Sequence, residues 1–342
     1  MRKYPAILLC FILSSFVIKE SLFLVPQNFP KPVYDFSKNP LTDHTILLGR
    51  TLFYEPMLSR NNTISCESCH SPFSAFTHID HALSHGINDS IGSRNSPALM
   101  NLAWQKSFMW DGAVNNLDMQ ALAPISHPTE MGSSINEVVE KLNASSIYRH
   151  LFYNAYNDSV ITGEKTLKAI SQFLLTLVSA NSKYDKVMRN ETSFTDKEAN
   201  GYLLFQKNCS SCHTEPLFTS SNFENNGLPI DFVLKDIGRM KITANPTDSL
   251  KFKVPSLRNI EYSYPYMHDG RFKKLSEVLD HYSHGIRSTK TLAPQLKNAI
   301  ALTPDEKVDI INFLLTLSDK EFILNSKYQY PKRIILRGEG FE

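Results

Sequence analysis

The sequence predicts a mainly α-helical protein made of two related domains with long loops. Three observations lead to this prediction: apolar residues recur at helical spacing, one cysteine–histidine motif occurs twice, and shorter motifs repeat around it. No alternating strand pattern is long enough to form the core of a sheet. A chain of 342 residues has room for two domains of ordinary size.

The composition is that of a folded protein that does not bind nucleic acid. Hydrophobic residues make up 42% of the chain and charged residues 20%, which is the balance of a globular protein and not of a disordered one. The formal net charge of +2 is too small to attract a polyanion along an extended surface. We therefore expect no nucleic-acid partner.

The first 20 residues predict export from the cytoplasm. Met1 to Lys3 carries positive charge, and Pro5 to Ile18 is an apolar run that is short for a membrane span but has the length of a signal-peptide core. Because no clean small-residue cleavage site follows, residues 1–20 are expected to be either a signal peptide or an N-terminal anchor. Cys10 lies within this segment and is not counted with the other cysteines.

The four remaining cysteines form two copies of the motif C-x-x-C-H. In this motif two thiols add to the vinyl groups of a haem, and the histidine that follows presents its imidazole to the iron. A disulfide would not require a histidine after both pairs, and a zinc site would be expected to bring the pairs together, whereas they lie 143 residues apart. The sequence therefore predicts two covalently bound c-type haems, attached at these residues: Cys66, Cys69 and His70, then Cys209, Cys212 and His213.

An internal repeat extends beyond the two haem motifs. Pro97 to Asn101 resembles Pro255 to Asn259, and Met109-Trp110-Asp111-Gly112 has its counterpart, at the same distance, in Met267-His268-Asp269-Gly270. Two copies of one haem-binding unit are the simplest explanation. We expect an N-terminal cytochrome c-like domain at 40–190 and a C-terminal one at 191–330.

Helical periodicity places the main elements of each domain. Thr166 to Met188 carries apolar residues at helical spacing and is predicted to close the first domain. Ser193 to Glu198 has the composition of a helix start that leads to the second haem motif. Further helices are predicted at Ser276 to His281 and at Asp305 to Leu317, and a loop around 222–250.

The repeat breaks at one informative position. Tyr282 lies fourteen residues beyond His268, whereas the residue fourteen beyond Trp110 is Pro124. A tyrosine oxygen is a known haem ligand, while proline has no side-chain ligand for iron. The two haems are therefore expected to differ, the second closed by its own domain and the first open or closed by a borrowed ligand.

At this point the sequence resembles the di-haem bacterial cytochrome c peroxidase and MauG family over nearly its whole mature length. The resemblance rests on both haem motifs and on short motifs that match the family in order: Leu48-Gly49-Arg50, Leu52-Phe53, Leu58-Ser59, Arg94-Asn95-x-Pro97, Trp110-Asp111-Gly112, Glu130-Met131, Val254 to Asn259 and Pro265 to Gly270. It implies a periplasmic enzyme, with a homodimer among the expected assemblies.

The resemblance also implies roles for matching residues. Trp110 would carry electrons between the haems, and Gln120 and Glu130 would be the distal residues of a peroxidatic first haem, with Glu130 moving a proton during O–O cleavage. His70 and His213 would be the proximal iron ligands. A calcium ion would be held between the domains by Asn95 and by the main-chain carbonyls of Ser263 and Pro265.

Two positions point to different branches of the family. His85, followed by Gly86, matches the loop histidine that caps the first haem in the peroxidases, whereas Tyr282 occupies a position where MauG has tyrosine and those peroxidases have methionine. For His85 a surface role remains open. For the second haem, His281 and His284 remain alternatives to Tyr282, with Met267 and Met240 as lesser candidates.

The expected function is reduction of hydrogen peroxide to water, with electrons from a small cytochrome c or a cupredoxin. Two alternatives are kept: a MauG-like enzyme that oxidises residues of a partner protein, and a non-enzymatic di-haem electron carrier with both irons closed. Tyr282 favours the first alternative, because an oxygen donor favours oxidised iron. Pro124 and Glu130 argue against the second.

Overall fold

The structure, a computed structural model, describes residues 22–332. The predicted signal peptide or anchor at residues 1–20 lies outside the described residues. Within 22–332, no helix is both long and apolar enough to cross a bilayer.

Helices dominate the described part of the chain, as the sequence predicts. The α-helices are α1 Asp43–Phe53, α2 Leu117–Gln120, α3 Leu122–Ser126, α4 Ile135–Ala144, α5 Ser146–Tyr156, α6 Gly163–Thr176, α7 Lys183–Met188, α8 Asp196–Asn208, α9 Met240–Thr243, α10 Leu275–Asp280, α11 Pro304–Leu315 and α12 Lys320–Ile323. A π-helical turn at His281–Gly285 continues α10. The strands described are two residues long, β1 Phe223–Glu224 and β2 Phe252–Lys253, and pair antiparallel.

Each half contains a pair of helices that cross at a glycine. In α1, a Cβ added to Gly49 would lie 1.8 Å from the carbonyl oxygen of Ala169 in α6. In α8, a Cβ added to Gly201 would lie 1.9 Å from the carbonyl oxygen of Asp309 in α11. Only glycine permits backbones to approach so closely, so the haem motif that follows α1 or α8 is held against a second helix.

The repeated segments that follow the two haem motifs also share backbone conformations. Asn101 and Asn259 have left-handed φ values of 55° and 57°, and Met109 and Met267 have values of 67° and 74°. The main-chain N–H of Asn101 donates to Leu177 at the end of α6 (2.8 Å), and that of Asn259 donates to Leu317 beyond α11 (3.1 Å). Each turn is thereby tied to the end of the helix that crosses α1 or α8.

The predicted continuous helix over Thr166 to Met188 is wrong, because the chain leaves helical geometry after Thr176 and resumes it at Lys183. Between the two helices, the Asn101 side chain accepts a hydrogen bond from the N–H of Ser179 and donates one to its carbonyl oxygen, both at 3.0 Å. A side chain remote in sequence thus forms hydrogen bonds with the main-chain N–H and carbonyl groups that would pair with each other's neighbours in a continuous helix.

The other predicted helices are present. Thr195 caps α8 through a capping box with Glu198, α10 and α11 lie where helices were predicted, and the stretch around 222–250 contains only β1, α9 and a short turn at Pro246–Asp248.

The buried apolar residues form two cores. The chain enters the second core at α7 and returns to the first at α12. Buried phenylalanines lie in both cores: Phe53, Phe76 and Phe173 in the first, and Phe205, Phe218 and Phe313 in the second. Tyr184 of α7 packs in the second core, whereas Phe322 of α12 packs in the first, with its ring centroid 5.8 Å from that of Phe76. The domain limits at 190 and 330 remain predictions.

Candidate haem-binding sites

The first C-x-x-C-H motif forms a compact turn after α1 and the short helical turn Pro56–Leu58. The N–H of Cys66 donates to the carbonyl of Phe53 (3.1 Å), and that of His70 donates to Glu67 (3.2 Å). Cys66 and Cys69 are both free thiols, and burial raises their pKa values to about 12 and about 11. Neither thiol is in a disulfide, so both are available to add to haem vinyl groups.

The imidazole of His70 is oriented for a metal. Its Nδ1 lies 2.8 Å from the carbonyl oxygen of Phe76, which only accepts, so Nδ1 carries the proton and Nε2 keeps its lone pair. Burial lowers the pKa of His70 to about 4, so the ring is neutral. Phe76 is able to offer this carbonyl because it adopts a left-handed φ of 60°.

The second motif repeats this arrangement at the end of α8. Cys209 caps the helix, and the N–H of His213 donates to the carbonyl of Cys209 (2.9 Å). The Nδ1 of His213 faces the carbonyl oxygens of Phe218 and Pro255, each at 3.2 Å, so Nε2 is again left with its lone pair. Burial lowers the pKa of His213 as well.

A large cavity opens in front of the second motif. Its volume is about 260 Å³, close to the lower end of the roughly 300–1,000 Å³ of typical ligand pockets. Predicted site residues that line it are Asn95, Trp110, Cys209, Cys212, His213, Ser263, Pro265, Met267 and Tyr282. The free thiols, the neutral imidazole and this volume together fit a covalently attached haem.

Tyr282 lines the same cavity and lies in the π-helical turn that continues α10. Burial and the nearby thiols of Cys209 and Cys212 raise its pKa to about 12, while a hydrogen bond from the Asn226 side chain lowers it. His281 is directed elsewhere, since its Nε2 donates to the carbonyl of Asn226 at 3.0 Å. Among the alternatives, Tyr282 and Met267 line the cavity.

Trp110 connects the two halves. Its indole N–H donates to the carbonyl of Asn95 (2.8 Å), and its own carbonyl accepts from the N–H of Lys253 (2.7 Å). The ring lines the second cavity although the residue belongs to the chain segment of the first motif. Its role as an electron relay remains a prediction.

Glu130 and His85 meet at the first motif. The Glu130 carboxylate is close enough for its charge to raise the pKa of the Cys69 thiol, and the His85 carbonyl lies 3.5 Å from Cys69 Sγ. Gly86 packs on the backbone of Glu130, where an added Cβ would lie 2.4 Å from the carbonyl oxygen. Burial raises the pKa of Glu130, and the charge of His127 opposes this shift.

The His85 imidazole is held at one edge. Its Nδ1 is 2.6 Å from Asp89 Oδ1, and its ring stacks on His81 with centroids 4.1 Å apart. The carboxylate keeps the proton on Nδ1, so Nε2 has the lone pair that an iron ligand needs. Gln120 ends α2, and its amide donates to Met109 Sδ (3.7 Å) and not to Glu130.

The three predicted calcium ligands line one cavity wall. The Asn95 main-chain N–H donates to His268 (2.7 Å), and its side-chain amide donates to Ala82 (3.0 Å). Ser263 and Pro265 follow the short helical turn Ile260–Tyr262. Within residues 22–332, no group of three or more His, Cys, Asp or Glu side chains forms a metal site, so calcium at Asn95 remains a prediction.

Sequence reasoning missed three residues that organise the second site. Asn226 contacts Tyr282, Met267 and His281, and it lies in a stretch where the only pattern is that of a loop. Arg258 and Asp185 form a buried ion pair behind His213. Arg258 belongs to a repeated motif, but its counterpart is Met100, so the repeat carried no indication of a charge pair.

The fold and the two motifs define a class: a c-type cytochrome with two haem-attachment motifs, one in each half. The family model described as di-haem cytochrome c peroxidase matches residues 43–193, and the cytochrome c model matches residues 198–318. The methylamine utilization protein MauG of Methylorubrum extorquens is 34% identical over 310 residues, covering 87% of this chain and 84% of that protein. The chain belongs to the di-haem cytochrome c peroxidase and MauG family, as its sequence resemblance predicted.

Both branches of this family are represented among the relatives. The cytochrome c551 peroxidase of Nitrosomonas europaea is 36% identical over 244 residues, covering 68% of this chain and 71% of that one. The crystal structure of a MauG-like protein associated with microbial copper homeostasis has a TM-score of 0.79 and 32% identity, and the match covers 90% of this chain and 99% of that chain. The chain is therefore an oxidoreductase with two c-type haems.

Proposed function

We propose that this protein reduces hydrogen peroxide to water at its first haem site, with electrons that enter through the second from a small cytochrome c or a cupredoxin. The observation that carries the proposal is Glu130, a half-buried carboxylate beside the first haem motif with a raised pKa. When bound, the haem iron supplies the redox centre at which peroxide accepts two electrons. Two protons are consumed and two water molecules are formed.

Glu130 would move the proton that O–O cleavage requires. Its carboxylate accepts a proton from one peroxide oxygen and returns it to the other, which leaves as water. Burial supports this role, because a raised pKa brings proton affinity closer to that of the reacting group. Pro124, in α3, offers no iron ligand at the corresponding position, and Gln120 would bind the peroxide from the end of α2.

His85 would close the first site at rest. The segment around it is joined to the Glu130 loop by one hydrogen bond, from the N–H of Ile87 to the Glu130 carbonyl (2.8 Å). The His85 Nε2 has the free lone pair of an iron ligand, while the Asp89 carboxylate that orients it is 84% exposed. His85 would have to leave the iron before peroxide binds there.

The second site would receive and pass on electrons. Tyr282 and His213, which line one cavity, would both hold the iron, and Trp110 would conduct towards the first site. The matching glycine crossings, asparagine turns and histidine–carbonyl bonds support two copies of one haem-binding unit, at 40–190 and 191–330. Asn95, Ser263 and Pro265 would hold Ca²⁺ between them. We place the mature protein in the periplasm, exported by residues 1–20, with a homodimer as its expected assembly.

The test is oxidation of a reduced small cytochrome c by the purified holoprotein with hydrogen peroxide, before and after one-electron pre-reduction. Fast turnover only after pre-reduction supports a peroxidase in which His85 must leave. Fast turnover without pre-reduction supports a first site that is open from the start. Negligible turnover under both conditions refutes the peroxidase proposal.

A MauG-like activity is the second candidate, and Tyr282 is the observation that favours it. An anionic oxygen ligand stabilises oxidised iron and would suit an enzyme that oxidises residues of a partner protein instead of a small cytochrome. The discriminating measurement is the ratio of turnover with reduced cytochrome c to turnover with a protein substrate. A simple electron carrier would show neither activity and no high-spin haem absorption.

A further inference from the structure

A lysine without a counter-charge lines the cavity in front of the second haem motif. Lys253 belongs to β2 and is half-buried in the cavity wall, and in the described part of the chain no other lysine or arginine lines this cavity. Burial lowers the pKa of Lys253 to about 8, and within residues 22–332 no carboxylate pairs with it to oppose the shift. At neutral pH most of these side chains therefore remain positively charged.

Neutral groups account for two of the three hydrogens of this ammonium. Lys253 Nζ donates to Gln105 Oε1 (2.6 Å) and to the main-chain carbonyl of Ser107 (3.0 Å). The Phe108 ring centroid is 5.9 Å from Nζ and adds a weak attraction for the cation. Since a protonated lysine has three donors, one hydrogen has no acceptor among the described residues. A charge withdrawn from water normally has an anionic partner, and neutral acceptors do not replace one.

The position of this ammonium is fixed by the chain segment that carries Trp110. Gln105 and Ser107 belong to this segment, and the main-chain N–H of Lys253 donates to the Trp110 carbonyl (2.7 Å). Main chain and side chain of the lysine are thus both bound to the same few residues of the first half. The charge is therefore held between the Trp110 segment and the cavity, and does not turn away freely into solvent.

We propose that Lys253 binds a propionate of the haem attached at Cys209 and Cys212 and is the counter-charge of that carboxylate. A haem carries two propionates, and a carboxylate supplies both what the third hydrogen lacks, an acceptor, and what the ammonium lacks, a negative charge. The contacts with Gln105 and Ser107 then join this edge of the haem to the Trp110 segment. The proposal requires a haem at the second motif but not peroxide as the substrate, so it is tested without turnover.

The experiment compares Lys253→Met, Lys253→Gln and Lys253→Arg with Lys241→Met, which removes a positive charge at an exposed position of the same half. All are purified as holoproteins with both haems, and reduction potentials and resonance Raman spectra are measured. In Lys253→Met and Lys253→Gln we expect a lower potential for one haem, because loss of a nearby positive charge favours ferric iron, and a shift of the propionate bending band. Lys253→Arg, which keeps the charge, and Lys241→Met should both match the wild type.

Three results would overturn the proposal. The first is a wild-type potential and propionate band in Lys253→Gln, which keeps an amide donor and reports on the charge even if Lys253→Met does not fold. The second is an equally large change in Lys253→Arg, which would show that the charge is not what acts. The third is a change confined to the haem that responds to Glu130→Gln, beside the first motif. Absence of peroxide turnover in the wild type, with the Lys253 effects present, would refute the proposed function alone.

Discussion

Loss of one partner of the buried ion pair between Arg258 and Asp185 is expected to destabilise the protein strongly. The Arg258 side chain is fully buried and that of Asp185 is 2% exposed. Two nearly parallel hydrogen bonds join them, Nη1 to Oδ2 at 2.9 Å and Nη2 to Oδ1 at 2.7 Å, and Arg258 Nε donates to the Pro216 carbonyl at 2.8 Å. Pro216 lies two residues before Phe218, whose carbonyl orients His213.

Asp185→Asn removes the negative charge and leaves the shape almost unchanged. A guanidinium at this depth then has no counter-charge, and breaking a buried pair in this way costs about 3–5 kcal/mol of unfolding free energy. At about 2–4 °C per kcal/mol, the melting temperature of the holoprotein should fall by about 6–20 °C. The assay is calorimetry at neutral pH, with the visible spectrum followed in parallel to report on the second haem.

The control is Glu191→Gln, which removes the carboxylate of an exposed arginine pair, Arg189 Nε to Glu191 Oε1 at 2.6 Å. Solvent screens that pair, so no resolvable change in melting temperature is expected. If Asp185→Asn melts within about 2 °C of the wild type, the penalty for a buried unpaired charge has been misjudged and the reasoning fails.

The pH dependence follows from the same pair. Burial alone would raise the pKa of Asp185, but the hydrogen bonds and charge of Arg258 outweigh it and hold the pKa below its usual value. The contribution to stability is therefore present above the ordinary aspartate pKa of about 3.9 and is lost as the pH falls through the lower folded-state value. Asp185→Asn should remove this part of the acid-induced loss of stability.

Three further predictions concern catalysis, electron transfer and packing. Glu130→Gln should lower peroxide turnover by about 10²–10⁴-fold, whereas Glu137→Gln, a surface change, should leave it unaltered; equal rates in both variants would exclude Glu130 as the proton carrier. Because the pKa of Glu130 is raised, wild-type turnover should fall on acidification at a higher pH than an ordinary glutamate of pKa about 4.3 would give, and a pH–rate profile tests this. Trp110→Phe should slow electron transfer from the second haem to the first in stopped-flow measurements without changing peroxide affinity; an unchanged rate argues against a relay. Gly201→Ala should destabilise the protein by about 1–3 kcal/mol, because the added Cβ would lie 1.9 Å from the Asp309 carbonyl oxygen. A denaturation midpoint equal to that of the wild type would show that the crossing of α8 and α11 adjusts without cost.

The sequence by itself determined the two haem attachments, the helical class and the family, because each depends on residues that are adjacent in the chain. A C-x-x-C-H motif places its three functional groups within one turn, and the capping box of Thr195 and Glu198 that starts α8 spans four residues. Such patterns require no knowledge of distant contacts.

Only the tertiary structure decided which remote groups complete these motifs. Asn101 interrupts the helix predicted over Thr166 to Met188 by taking the main-chain groups of Ser179, a contact across 78 residues. Asn226 reaches Tyr282 and Met267 because a loop without a recognisable pattern folds over the second cavity. Packing of the whole chain brings together hydrogen-bond partners that are dozens of residues apart. Local periodicity in the sequence does not predict such pairs.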